Sequence, residues 1–122
     1  MATQQPQNLD ARISAADLTG KEYYLAVVDS SGEYDLAGLG ENAVGTIQEG
    51  KAAGLSSTVA LGGVVKCVAG TAIAAGDKVA SDAAGKAKVV ATTEHVVGVA
   101  MTAAGADLVV FELALDAQGI LV

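Results

Sequence analysis

The sequence predicts a mainly β protein: a single small antiparallel β-barrel or β-sandwich-like domain with short turns, little helix and a flexible N-terminal arm. Three observations carry this prediction. From Lys21 onward, short apolar runs are punctuated by Gly, Asp, Ser and Asn, the pattern of short strands joined by tight turns. Hydrophobic residues make up 52% of the 122 residues but aromatic ones only 3%, so Val, Leu, Ile and Ala must fill the interior. The triplet Ala-Ala-Gly occurs four times, each time between such runs. The length suits one core rather than two.

In chain order, residues 1–20 stand apart. Gln4, Gln5, Gln7 and Asn8 surround the only proline, Pro6, and bulky apolar groups are few. Such a terminus has little to bury, which predicts an arm that is flexible or ordered by a partner, with the β domain occupying 21–122. Within the arm, "SAADL" (Ser14 to Leu18) has the length of one helical turn capped by Ser14. "EYYLAVVD" (Glu22 to Asp29) is the first predicted strand, and "SSGEYD" supplies the following turn. "NAVGTIQ" (Asn42 to Gln48) is the next candidate strand, the region from Leu39 to Gly54 reading as strand or irregular rather than helix because Gly45 and Gly50 weaken the helical reading. "STVALGGVVKCVAG" (Ser57 to Gly70) follows, bent or split at Gly62-Gly63. "DKVAS", "KAKVVAT", "HVVGVAMTA" and "DLVVFELAL" complete the series.

The Ala-Ala-Gly triplets read as turns. In "DAAGK", Asp82 and Gly85 hold the first and fourth places of a type I turn, and Gly85 has the freedom to adopt positive φ as the bulge of a three-residue hairpin loop. Lys86 and Lys88 then alternate with Ala87 and Val89 at period two. "TAAGA" (Thr102 to Ala106) is expected to repeat the device, as more loosely are "KAAGL" (Lys51 to Leu55) and "IAAGD" (Ile73 to Asp77).

Charge excludes some partners. The formal net charge is -7, spread along the chain, and only seven Lys and Arg are present, so no cluster exists to release counterions from nucleic acid or to bind a membrane surface. The N-terminus has neither a basic nor an apolar segment of a secretory signal. The longest apolar run, Val59 to Gly76, is interrupted by Lys66 and by glycines, which argues against a membrane span.

Reactive constellations are sparse. Cys67 and His95 are the only residues of their types, and a catalytic cysteine needs a neighbouring base. Cys67 instead sits in the strand-like "VVKCVAG", where a free cysteine is ordinarily a small core residue. One Cys and one His do not make a zinc site. Asp29, Glu33 and Asp35 in "DSSGEYD" loosely resemble a calcium loop but lack its spacing and closing Glu, which favours a solvated turn. "GLGENAVG" (Gly38 to Gly45) does not match a phosphate-binding glycine pattern. No cofactor, metal or catalytic residue is expected, and such a domain acts by binding.

Several segments in matching order carry a family resemblance: "VGTIQ" at Val44 to Gln48, "GGVVKCVAG" at Gly62 to Gly70, "IAAGDKV" at Ile73 to Val79, "SDAAGKA" at Ser81 to Ala87 and "VVGVAMTAAGADLVVFEL" at Val96 to Leu113. Over residues 44–113 the chain resembles the small capsid decoration, or cement, proteins of tailed bacteriophages. The resemblance implies a non-enzymatic β-rich homotrimer on the outer surface of the virion capsid, made in the host cytoplasm. There it would bridge neighbouring major capsid proteins and stabilise the mature head. It does not reach the first 41 residues, so the arm rests on composition. An arm ordered by the capsid would contact it through Thr3, Gln4, Gln5, Gln7, Asn8, Leu9, Arg12 and Ile13. Two rival readings are a barrel-sandwich carrier or peptide-binding module, with Lys86 after the Gly85 turn as the modified lysine, and a small enzyme using Cys67.

Overall fold

The computed structural model describes residues 4–115. Among them every regular element is a strand, and the strands form one antiparallel, curled sheet. They are β1 (Gln5–Ile13), β2 (Leu25–Val28), β3 (Tyr34–Leu36), β4 (Gly45–Glu49), β5 (Ser56–Val68), β6 (Lys78–Ser81), β7 (Ala87–Val89), β8 (Gly98–Ala100) and β9 (Val110–Leu115). The hydrogen-bonded path runs β3-β2-β4-β5-β9-β8-β6-β7, with β1 added to β5. The all-β class and the strands expected from Glu22 to Leu115 are therefore present.

The 13-residue β5 organises the sheet. β1 lies along it from Gln5↔Val64 to Ile13↔Ser56. Val59 and Ala60 also pair with β4, and Val64 also pairs with Ala114 of β9. A strand has two edges, so β1 holds one and β4 and then β9 share the other. Gly63, at φ 85°, turns β5 between these two halves without splitting it. Before the turn, odd-numbered Val59 joins a small core with Leu18, Ala26, Tyr34 and Ile47. After it, odd-numbered Val65 and Cys67 join the larger core with Phe111, Leu113, Val79 and Val97. One residue of left-handed backbone thus exchanges the faces of the strand, because side chains otherwise alternate strictly. Single bridges, Ser14↔Tyr34 and Ala69↔Ala87, tie the curled ends back onto the sheet.

The expected turn at "DAAGK" forms. Gly85 has φ 80°, its N–H donates to Asp82 O at 3.3 Å, and Asp82 Oδ1 accepts the N–H groups of Ala84 and Lys86 at 2.8 and 2.9 Å. Gly54 and Gly76 also have positive φ, but Gly105 does not. "TAAGA" is therefore a different structure: Ala104 exchanges backbone bonds with Ile73, which keeps it extended, and the chain turns later, at Leu108 with φ 67°.

Three other local readings differ. Ser14 caps no helix; its Oγ donates to Leu55 O at 2.8 Å and lies 2.6 Å from Ser57 Oγ. The "YD" of the expected turn opens β3, whose Tyr34 is wholly buried. Gln5–Ile13, set apart by composition as an arm, are a strand of the sheet. A ladder is made by backbone groups that every non-proline residue carries, so a Gln-rich segment joins one as readily as an apolar segment. Pro6 is tolerated because β1 is an edge strand.

Candidate functional site

β1 has one committed side and one open side. Asn8, at φ 55°, interrupts its alternation. Beyond it, Asp10, Arg12 and Ser14 turn toward the smaller core. Tyr34 Oη donates to Asp10 Oδ2 at 2.6 Å, and Arg12 Nε donates to the same oxygen at 2.8 Å. The tyrosine hydroxyl, and secondarily the guanidinium, hold the Asp10 carboxyl below its ordinary pKa; burial and the carboxylate push the Tyr34 hydroxyl up. This cluster and the Ser14–Ser57 contact fasten β1 to β3 and β5.

Leu9, Ala11 and Ile13 occupy the other side. Leu9 is 59% and Ile13 41% exposed, and Leu55, opposite Ser14 just past the end of the ladder, is 57% exposed. The alternation of Leu9, Ala11 and Ile13 with Asp10 and Arg12 is that of a half-buried strand, yet Leu9 and Ile13 keep much of their surface open among the described residues. The outer backbone edge is open as well. Among the described residues β1 pairs only with β5, the bridge at Ser14 lying just past its end. A nine-residue open edge is a ready template for another strand.

Of the residues expected to bind a partner, Thr3 lies outside the described residues. Gln4 is tied to its own sheet: its Nε2 donates to Gln48 Oε1 at 3.0 Å, and its Oε1 accepts the Lys66 N–H at 3.1 Å. Arg12 is exposed but paired with Asp10. Gln5 and Asn8 are exposed, and Gln7 sits opposite Gly62. The structure brings Leu9 and Ile13 together on one side of the edge strand. Sequence reasoning missed Ala11 and the exposed Leu55. The period-two spacing of Leu9, Ala11 and Ile13 was the available signal.

The other candidate chemistry is occupied structurally. Cys67 is fully buried, which pushes its thiol pKa up and disfavours the nucleophilic thiolate. His95 Nδ1 lies 3.0 Å from Gly40 O, and no hydrogen bond joins it to Cys67. Asp29 Oδ1 accepts the N–H groups of Ser31 and Glu33, both at 2.9 Å, so the acidic hairpin satisfies its own backbone. Lys86 Nζ is bound to Asp107 at 2.8 Å rather than presented at a hairpin tip, and that carboxylate raises its pKa. Among the described residues, no three His, Cys, Asp or Glu converge to hold a metal ion, and no helix is long and apolar enough to cross a membrane.

The fold has a solved counterpart. The chain is similar to the N base of the head fiber gp8.5 of bacteriophage phi29, with a TM-score of 0.70 and 14% identity, covering 93% of this chain and 97% of that one. At that identity the likeness speaks for the fold. No curated protein matches the sequence. A family model described as phage cement protein matches residues 4–115, from the start of β1 to the end of β9. The chain therefore belongs to the phage cement protein family, structural proteins found on the outer surface of the virion capsid.

Proposed function

We propose that this cement protein fastens to the head through β1, as a homotrimer that bridges neighbouring major capsid proteins and stabilises the mature shell. The observation that carries the reading is the open edge of β1 with Leu9 and Ile13 exposed beside it. An extended segment of the major capsid protein adds to that edge by main-chain hydrogen bonds, and the two aliphatic side chains fix its register. Three such contacts in one trimer bind together far more tightly than one. A protein that binds the mature shell in preference to other states stabilises it by mass action. No reactive side chain is needed.

Covering what remains exposed of Leu9 and Ile13 is worth roughly 2–3 kcal/mol per protomer, about 30- to 150-fold in affinity. Co-sedimentation with undecorated mature heads tests this. The natural protein is expected to pellet with the heads, and Leu9→Asp/Ile13→Asp to stay in the supernatant with an unchanged far-ultraviolet circular dichroism spectrum. Full binding by the folded double variant would overturn the reading.

A further inference from the structure

The outward side of the β5-β9-β8 region is apolar where a solvated antiparallel sheet is ordinarily polar. Val65, Cys67, Ala100, Phe111 and Leu113 point into the larger core, and their neighbours along each strand point out. The register sets Lys78, Val99, Ala114 and Val64 in one row across four strands. Met101, Glu112 and Lys66 form the next row, since the Met101 N–H donates to Glu112 O and Lys66 lies opposite Glu112. Met101 is 53% exposed, and Val99 and Val110 remain open beside it. An apolar centre with a charged rim is the anatomy of a protein interface.

The rim identifies the occupant. It carries Lys66 and Lys78 against one acid, Glu112, in a chain with 14 acidic and seven basic residues. Two such faces laid against each other would oppose their lysines, which disfavours a twofold contact. Elsewhere the same chain offers the complement: a groove of about 490 Å³ at the β2-β3 hairpin, with Val27, Val28 and Leu36 in its wall and Asp29, Asp35 and Glu41 beside them. Different surfaces that complement each other make a head-to-tail contact, which repeats until a ring closes. We propose that the Val99–Met101 face of one copy docks into the β2-β3 groove of the next, forming the subunit contacts of the ring. This rests on the trimeric reading above and names the surfaces that build it.

The test uses the full chain without capsids, weighed by native mass spectrometry and light scattering. A three-chain species is expected. Lys78→Glu and Asp35→Lys should each shift it to single chains, and the two reversals combined in one chain should restore it, because every interface then regains opposite charges. As a second measurement, Met101→Cys/Asn42→Cys in a Cys67→Ala background should give disulfide-linked dimers and trimers on mild oxidation. A trimer indifferent to both reversals, a loss that the combined variant does not rescue, or the absence of cross-links would overturn the proposal while leaving trimeric attachment standing. A natural protein that stays monomeric both free and on heads would overturn the trimer itself, and co-sedimentation would still report separately on β1.

Discussion

Replacing each Ala-Ala-Gly glycine by alanine should give a graded series whose sign changes at one member. Gly54 and Gly76 have φ of 87° and 90°, and an added Cβ at either meets nothing within 4 Å. Left-handed backbone costs a non-glycine residue roughly 1–2 kcal/mol. Restricting the unfolded chain offsets about 0.4–1 kcal/mol of that. Gly54→Ala and Gly76→Ala should therefore destabilise by about 0.5–1.5 kcal/mol. Gly85 has the same backbone requirement, but its Cβ would lie 2.6 Å from Leu36 Cγ and Cδ1. Overpacking adds about 1–3 kcal/mol, toward the lower end because Leu36 is only half-buried and has room to move, so Gly85→Ala should cost about 2–3 kcal/mol. Gly105 has neither positive φ nor a close neighbour, and Gly105→Ala should stabilise by up to about 1 kcal/mol. Urea unfolding midpoints at matched protein concentration measure all four, since assembly adds to apparent stability. Four equal losses, or a Gly85→Ala variant no weaker than Gly54→Ala, would refute the reasoning.

Other outcomes follow from single contacts. The Cys67 thiol should react with a maleimide only as fast as the folded sheet opens, so labelling should accelerate in denaturant, and rapid labelling in buffer would place it at the surface. Phe111→Ala should destabilise by about 3–5 kcal/mol, read as a lower urea midpoint, because the ring is fully buried in the larger core. Glu94 accepts Lys88 Nζ at 2.7 Å on both oxygens and the Ala91 N–H at 2.7 Å, which hold its carboxyl below its ordinary pKa. A carboxylate depressed in the folded state stabilises fully above its unfolded pKa, about 4.3, and that contribution is lost as pH falls through the lower folded value. Thermal stability should decline on acidification below about pH 5, and Glu94→Gln should show a shallower decline.

The domain's strands were legible because their side chains carry the message. Val, Ile and Leu runs between turn residues mark β2, β4, β5 and β9, and Asp82 with Gly85 marks a turn by chemistry that needs those two residues. What escaped was written in the backbone. β1 is held by main-chain bonds that glutamines make as well as valines do, and the three-residue β3 begins inside a run of turn-forming residues. Gly105 shares its triplet with Gly54, Gly76 and Gly85 but departs from their positive φ through a contact that the triplet does not encode. Its conformation is set instead by Ile73, 32 residues away. The binding residues were partly legible: Leu9 and Ile13 lie on the open side, whereas Gln4 and Arg12 are engaged by partners that only the folded chain brings near.

β1 pairs with residues 43 to 59 positions further along the chain, from Ile13↔Ser56 to Gln5↔Val64. At a synthesis rate of about 5–20 residues per second, this segment waits several seconds for its partner to be made. A strand of valines held open that long would recruit other nascent chains. Glutamine, asparagine and Pro6 favour water over apolar contact while the segment waits, and its ladder cannot form before β5 has been made. The polar composition of β1 thus suits a segment made well before its partner, because its side chains add little attraction for other chains until β5 is there to template the ladder.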